Sequence, residues 1–273
     1  MPTKPVRLYV NGVALWSERL PGWDSARAIL RGEVAPPADA APRPAPQLLP
    51  PTERRRAPDT VAIALEAAAA ACRYAELPPA SLPCVFSSMH GDLAITDYMC
   101  ATMASTPALV SPTRFHNSVH NAAAGYWTIA ADCTRPYTAL SAGEHSFGAG
   151  LLEACVQAAS GGENVLLVAY DIDARGPLAP VARSKHLLAA ALVIGTERGP
   201  RALAQFDLEV VGGDALIATP ARAANAALVA GNSTESSLPV LEALALGWPS
   251  ADTRDVLVLA TPALGVHLRL RPP

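Results

Sequence analysis

The stretch that decides the fold is SPTRFHNSVHNAAAGYWTIAADCTRPYTALSAGEHSFGAGLLEACVQAASGGENVLLVAYD, residues 111–171. Its apolar and turn pattern predicts two helices and two strands in alternation: Ser118–Ala131, Tyr137–Ser141, His145–Ala159 and Val165–Ala169. The last strand is an uninterrupted apolar run, which is typical of a sheet covered on both faces. Alternation of this kind predicts an α/β fold with layered packing.

The pattern extends to both sides of this stretch. Towards the N-terminus it predicts strand Leu8–Ala14, helices Trp23–Arg31 and Thr60–Tyr74, strand Cys84–Ser87 and helix Asp92–Ser105. Towards the C-terminus it predicts strands His186–Ile194 and Phe206–Val211, a short helix Pro239–Leu246, and a closing pair of strands at Val256–Ala260 and Gly265–Leu270.

Residues 33–58 are interpreted as a proline-rich surface loop. Residues 33–52 include seven prolines, which lack the backbone donor that helices and inner strands require. The loop ends with Arg54, Arg55 and Arg56. This basic run has two interpretations, a solvated loop charge or a docking patch for an acidic protein.

Composition excludes several classes of protein. The net charge of −3 and the pI of about 6.1 do not provide the basic surface that a nucleic-acid-binding protein needs. Neither a secretory leader nor a membrane-spanning apolar run is recognisable, so we expect a cytoplasmic protein without stable membrane insertion. The five cysteines form no C-x-x-C pair, and we interpret them as buried thiols rather than as disulfides or metal ligands.

The stretch 111–171 resembles the central part of β-ketoacyl synthases of the thiolase-like superfamily. The family's N-A-A-A-G-like helix is matched by Asn121-Ala122-Ala123-Ala124-Gly125, and the turn after it by Arg135-Pro136. The G-E-A of the family's long helix is matched by Glu153-Ala154, and the end of that helix by Ser160-Gly161. Counting eight residues on from Pro136, as in the family, leads to Glu144, where the nucleophilic cysteine belongs. The resemblance covers about residues 7–211.

The resemblance implies a thiolase-like fold made mainly of the N-terminal half of a ketosynthase, with a truncated C-terminal portion. We accordingly predict a ketosynthase-like domain at residues 1–211 and a short extension at 212–273 that packs on the same domain. The family places two catalytic histidines in its second half, whereas His267 is the only histidine of this extension. His186 belongs by position to an edge strand of the first half, so we expect no catalytic role for it.

The same resemblance implies a function. Ketosynthase relatives that lack the cysteine act as chain-length factors, and this chain resembles such subunits of aryl polyene and type II polyketide systems. The expected partners are an active ketosynthase, joined edge to edge through Tyr137–Ser141, and an acyl carrier protein bound through the complex. No cofactor and no metal are expected. The alternative is a stand-alone acyl-transfer or malonyl-decarboxylating enzyme that uses Glu144 and a nearby histidine.

Glu144 and His145 are the candidate residues at the start of the long helix. Glu144 has two interpretations: it caps the helix or pairs with a cation, or it shapes a tunnel or assists decarboxylation. His145 beside Ser141 or Ser146 does not indicate a hydrolase, because the sequence has no G-x-S-x-G motif.

Further candidates for a tunnel wall or interface lie upstream. Ile95, Met99 and Met103 are spaced four residues apart on one predicted helix, and Phe115 and Val119 extend the apolar set. The alternative is that these side chains form ordinary core. His116 and His120 are also four residues apart, but they lack a third ligand at a recognisable spacing, so they are interpreted as structural or substrate-facing.

Overall fold

The computed structural model of the chain describes residues 6–182, 184–250 and 252–273. Its strands are β1 Val6–Ser17, β2 Leu20–Pro21, β3 Cys84–Ser87, β4 Tyr137–Leu140, β5 Val165–Asp171, β6 Leu188–Gly195, β7 Ala204–Gly212, β8 Arg254–Thr261 and β9 Leu264–Arg271. Its α-helices are α1 Trp23–Arg31, α2 Pro51–Arg56, α3 Asp59–Ala75, α4 Leu93–Ser105, α5 Pro112–Asn117, α6 Ala122–Ala130, α7 Ser146–Gly161, α8 Ala223–Ala226 and α9 Leu238–Leu246. The predicted α/β class is confirmed.

The described strands belong to one mixed sheet in the order β4-β3-β5-β6-β1-β7-β9-β8, and β2 pairs only with β1. β4, β3 and β5 run parallel, and every other neighbouring pair is antiparallel. Parallel neighbours need crossover connections, which the helices between β3, β4 and β5 supply. β4 lies at one end of the order, so one side of its backbone has no strand partner within the described ranges.

The long helix α7 is enclosed by the sheet. One side of the helix packs on β3, β5 and β6, and another side packs on β8. Gly148 permits the close approach to β8, because a Cβ at this position would lie 2.1 Å from the carbonyl oxygen of Leu259. The apolar core around α7 also includes α1 and α9, while α3 and α6 cover the opposite face of the sheet.

The two predicted parts of the chain share this sheet. β7 crosses the predicted boundary between residues 211 and 212, and it pairs with β1 on one side and with β9 on the other. The strands that follow the boundary therefore continue the same layer, and β8 supplies one wall around α7. The division into a domain and an extension stays a prediction.

The proline-rich segment contains a helix that the sequence interpretation missed. Residues 33–50 have no regular secondary structure, but Pro51–Arg56 form α2, so the prediction of a loop over 33–58 is wrong for these six residues. Proline is compatible with the first helical turn, where a backbone donor has no partner inside the helix, and Pro51 occupies this position. The three arginines therefore lie on a short helix rather than at the end of a loop.

Several predicted boundaries need smaller corrections. The helix predicted at Ser118–Ala131 begins at Ala122, and a separate short helix, α5, precedes it. The strand predicted from His186 begins at Leu188, because His186 has a positive φ of 60° that interrupts an extended strand. Among the five cysteines Cys100 is exposed on α4, so the interpretation of all five as buried is wrong for this one.

Candidate functional site

The turn between β4 and α7, which we call the elbow, spans Ser141–His145. Gly143 has a φ of 60°, a left-handed conformation that glycine adopts without a steric cost. The hydroxyl of Ser146 donates to the carbonyl of Gly143 over 2.6 Å and accepts from the backbone N–H of Ala142 over 3.0 Å. The hydroxyl of Ser141 donates to the carbonyl of Met89 over 2.7 Å, which fixes the elbow to the segment after β3. The elbow is thus held by Ser141 and by Ser146, the first residue of α7.

The side chain of Glu144 takes no part in these hydrogen bonds. Its side chain is 81% exposed, and its Oε1 lies 3.8 Å from Nε2 of His145, whose side chain is 18% exposed. The N-cap of α7 is His145, and no side chain caps the helix. The interpretation of Glu144 as a helix cap is therefore wrong. A carboxylate beside the first turn is still favoured by the positive end of the helix dipole.

A cavity of about 840 Å³ opens beside the elbow. Glu144 and His145 line one side of it. The other walls come from residues after Gly212, including Ala218, Thr219, Asn232, Ser233, Glu235, Leu257 and Leu259. The sequence predicted only that this C-terminal part packs on the same domain, whereas in the structure β8 packs on α7 and brings it beside the elbow.

Two histidines contact the segment after β3 to which the elbow is fixed. Nε2 of His120 is 2.9 Å from the carbonyl of Ser88, and Nδ1 of His90 is 3.1 Å from the carbonyl of Gly91. Burial lowers the pKa of His90, although the Gly91 carbonyl opposes this effect. Nε2 of His90 is buried and has no hydrogen-bond partner within the described part of the chain. His90 was not a candidate at the sequence level, because it lies in a short turn without a motif.

His116 does not join this group. Its ring packs edge-on against Tyr126 with 5.8 Å between the centroids, while His120 faces the carbonyl of Ser88. Within the described residues no three histidine, cysteine or acidic side chains come together as a metal site. His116 thus packs against Tyr126, whereas His120 contacts the loop after β3.

The predicted apolar stripe on α4 is divided by its environment. Met99 is only 6% exposed and packs inside the chain, Ile95 is partly buried, and Met103 is 53% exposed. Beyond α4, Phe115 and Val119 are 62% and 50% exposed. Met103, Phe115 and Val119 thus present apolar surface outward, whereas Met99 contributes mainly to packing.

These residues belong to a larger exposed surface between α4 and β4, which we call the apolar face. Its members are Met103, Leu109, Phe115, Val119, Ile129 and Tyr137. Exposed fractions run from 41% at Tyr137 to 78% at Ile129. Phe115, Val119 and Ile129 line one groove. The other members lie on neighbouring elements, since α4 packs on α5 and the amide of Asn121 donates to the hydroxyl of Tyr137 on β4. Exposed apolar side chains on neighbouring elements are typical of protein interfaces.

A buried polar cluster that the sequence did not indicate lies at the ends of β3 and β5. The carboxylate of Asp171, 1% exposed, accepts hydrogen bonds from the hydroxyls of Ser88 and Thr234 and from the backbone N–H of Met89. The amide of Asn232 donates to the carbonyl of Asp171. Burial raises the pKa of Asp171 to about 7, against the opposing effect of these hydrogen bonds. The cluster ties the C-terminal wall of the cavity to the centre of the sheet.

The comparisons with known proteins decide the family. Residues 27–244 match the family described as β-ketoacyl synthase, N-terminal domain. The chain belongs to this family. We found no match among curated proteins.

Similar solved structures show the same thiolase-like ketosynthase fold. One is a ketosynthase, ApeO, in complex with its chain length factor, ApeC, from Xenorhabdus doucetiae, with 19% identity and a TM-score of 0.69 over 96% of this chain and 98% of the matched chain. Another is the ishigamide ketosynthase/chain length factor, with 16% identity and a TM-score of 0.71 over 97% and 99%. A third, AntDE:AntF, is a type II PKS acyl-carrier protein in complex with its ketosynthase, with 10% identity and a TM-score of 0.74 over 99% and 100%.

The position of the cysteines is informative within a ketosynthase family. The cysteine that follows the elbow most closely is Cys155, which is fully buried on α7. Burial raises its pKa, and it also raises the pKa of Cys72 and Cys84 to about 12. A reactive thiol instead needs a lowered pKa and an accessible position. At the elbow the corresponding side chain is the carboxylate of Glu144, not a thiol.

Proposed function

We propose that this chain is a non-catalytic chain-length-factor subunit that pairs with an active β-ketoacyl synthase and shapes its acyl tunnel. The observation that carries the proposal is Glu144 at the elbow, in the place where the family resemblance puts the nucleophilic cysteine. A carboxylate is a poor acyl acceptor, and the buried cysteines are unsuited to form a thiolate. The acyl intermediate would therefore be carried by the partner.

The surface supports a heterodimer. Among the described strands β4 pairs with β3 alone, so one side of its backbone has no strand partner there, and the apolar face adjoins β4. An edge strand beside exposed apolar side chains is prone to pair with another chain. A stable partner would cover both the edge of the strand and the apolar side chains. The matched proteins ApeO and ApeC form a complex of ketosynthase and chain length factor. We extend this role to the present chain, in polyketide- or aryl-polyene-type synthesis in the cytoplasm. An acyl carrier protein would reach it through the complex.

A second candidate function rests on the proximity of Glu144 and His145, whose Oε1 and Nε2 atoms are 3.8 Å apart and which both line the cavity. A carboxylate and an imidazole beside a cavity are groups that could assist decarboxylation of a malonyl thioester. This reaction would break the bond between the malonyl carboxylate and the α-carbon and release carbon dioxide, and a proton from water would then be added to that carbon. An acetyl thioester would remain on the carrier, with no covalent enzyme intermediate.

Intact-mass spectrometry distinguishes these functions. The purified chain is incubated with acyl and malonyl thioesters of a carrier protein, and the masses of both proteins are recorded. We expect no acyl adduct on the chain and no conversion of malonyl to acetyl carrier. A stable adduct on Glu144, Ser141 or any cysteine would contradict the proposal. Conversion of the malonyl carrier that is lost in Glu144→Gln would establish the second candidate instead.

A further inference from the structure

The segment 231–237, which we call the wall segment, forms one side of the cavity beside the elbow. Its members on the cavity lining are Gly231, Asn232, Ser233, Glu235 and Ser236. Ser233–Ser237 form a short 3₁₀ helix, and the side-chain oxygen of Asn232 caps it by accepting from the backbone N–H of Thr234 over 2.9 Å. The amide of Asn232 also donates to the backbone carbonyls of Asp171 and Lys185. The wall segment is thus tied to the residues at the end of β5 and before β6.

The carboxyl group of Asp171 joins the wall segment to the support of the elbow. One of its oxygens accepts from the hydroxyl of Thr234 over 3.0 Å. The other accepts from the backbone N–H of Met89 over 2.9 Å, and the carbonyl of Met89 accepts from the hydroxyl of Ser141 in the elbow. The hydroxyl of Ser233 donates to the sulfur of Met89. A single buried side chain therefore lies between three segments that are distant in sequence.

The carboxyl group of Asp171 has no cation beside it. Asp171 is 1% exposed, and within the described residues no cationic side chain forms an ion pair with it. Tyr170, its neighbour on β5, is buried with a raised pKa and remains neutral. The other titratable side chains on the surrounding segments are His90 after β3, His120 against Ser88, Glu153 on α7, Lys185 and His186 before β6, and Glu235 on the wall segment. Loss of the Asp171 proton would therefore leave an unpaired charge inside the chain, which water would stabilise.

The wall segment is the part of this cluster that can separate from the others. β3 and β5 have strand partners on both sides, whereas residues 231–237 belong to no strand. Thr234 contacts the carboxyl group, and Ser233 and Glu235 on either side of it line the cavity. Movement of the wall segment would admit water to Asp171 without breaking the sheet.

We propose that Asp171 is a pH-operated latch: its protonated carboxyl group holds the wall segment in place, and loss of the proton opens this wall of the cavity. In the closed state the acid O–H donates to the hydroxyl oxygen of Thr234, which can accept as well as donate. Opening transfers one proton from the carboxyl group to water and breaks no covalent bond other than this O–H. The latch does not depend on the proposed function, and it would make the cavity more accessible at neutral than at mildly acidic pH.

Hydrogen exchange followed by mass spectrometry of the whole chain measures this opening. Protection factors of residues 231–237 are determined from pH 5 to pH 9, with correction for the intrinsic exchange rate at each pH. The Asp171 pKa is about 7 in the closed state, and its ordinary value is 3.8. Because the closed state binds the proton more tightly, we expect protection to fall roughly 50-fold between pH 5 and pH 7 and to level off above pH 8.

Two positions test the latch independently. Asp171→Asn cannot titrate and keeps a donor for Thr234, so its protection should not change with pH. Thr234→Val removes the hydroxyl and should lower protection already at pH 5, whereas Thr234→Ser keeps the hydroxyl and should follow the wild type. The matched control is Asp207→Asn on β7, which replaces a carboxylate paired with Arg271 outside the cavity lining and should retain the wild-type pH dependence.

Low urea concentrations separate opening of the wall segment from global unfolding. Opening of a short segment exposes little surface, so urea should reduce the protection of residues 231–237 less steeply than that of β5. Wild-type protection that is independent of pH, or a pH dependence that persists in Asp171→Asn, would overturn the inference. Equal urea dependence of the two regions would also overturn it. If Asp171→Asn does not fold, as judged by circular dichroism, equal protection in Thr234→Val and Thr234→Ser would still contradict the latch.

Discussion

At the scale of single residues, Asp171 shows how burial changes the behaviour of a carboxyl group. Four polar groups surround its side chain and backbone carbonyl, from Ser88, Met89, Thr234 and Asn232. Removal from water disfavours the charged form more strongly than these donors favour it, so its pKa rises from 3.8 to about 7. The group is thus neutral in the folded chain over a pH range in which the unfolded chain carries it as an anion.

This raised pKa predicts how stability depends on pH. Between about pH 4 and pH 7 the folded state binds the Asp171 proton and the unfolded state has lost it, so the contribution of Asp171 to the free energy of unfolding falls as pH rises. Above pH 7 both states are ionised and this contribution is constant. Asp171→Asn removes the effect, so the variant should gain stability relative to wild type between pH 5 and pH 8. The gain is about 3 kcal/mol, since the folded chain keeps this proton over roughly two pH units of the interval and each unit is worth about 1.4 kcal/mol.

Urea unfolding of both proteins at pH 5 and pH 8 measures this difference. The difference in the free energy of unfolding between the two proteins cancels the contributions of other titrating groups. One such group is His90, whose lowered pKa makes stability rise with pH. A stability difference that is the same at both pH values would mean that Asp171 does not titrate in this range.

At the scale of elements, α4 carries two methionines with different roles. Met99 is 6% exposed and Met103 is 53% exposed, so one faces the interior and the other faces outward on the apolar face. The sequence spacing placed both on one stripe, because a four-residue interval returns a side chain to nearly the same face of a helix. Neighbouring elements, rather than the helix, determine which of the two remains accessible.

The two positions should therefore respond differently to substitution. Met99→Ala should cost roughly 2–5 kcal/mol of stability, as for other buried methionines. Met103→Ala should change stability by less than about 0.5 kcal/mol, as for other exposed positions. We propose that Met103 borders the acyl tunnel of the complex, so its shortening should lengthen the product and Met103→Trp should shorten it.

The measurements are the melting temperature of each variant and the mass of the product made by the reconstituted complex. Met99→Ala serves as the packing control for Met103→Ala. Unchanged product length in both Met103 variants would place the tunnel wall elsewhere.

At the scale of the whole molecule, one end of the sheet is open and the other is partly covered. The backbone of Leu257 on β8 exchanges hydrogen bonds with Thr219, which shields part of that strand. By contrast, β4 pairs with β3 alone among the described strands. The apolar face lies on the β4 side. None of the helices in the described ranges is long and apolar enough to span a membrane.

This asymmetry predicts which substitutions disrupt a heterodimer. Ile129→Asp/Met103→Asp places two charges on the apolar face and should abolish a stable complex with the ketosynthase, while the chain alone keeps its fold because both side chains are exposed. Ile217→Asp is the control, because Ile217 is 84% exposed outside this face. Obligate interfaces bury more than about 2,000 Å², so gel filtration of co-expressed chains gives a clear result. A complex that tolerates the double variant would contradict the proposed face.

The sequence by itself determined the α/β class, the ketosynthase resemblance and most elements, because periodic apolar runs and turn residues act locally. Trp23–Arg31 and Cys84–Ser87 match the structure at both ends. Counting eight residues from Pro136 in the sequence also placed Glu144 at the elbow. Only the tertiary structure decided what surrounds that carboxylate. The cavity beside Glu144, the burial of Asp171 and the exposure of Met103 all depend on segments distant in sequence. The packing of β8 against α7 at Gly148 is one such long-range contact, and no local pattern encodes it.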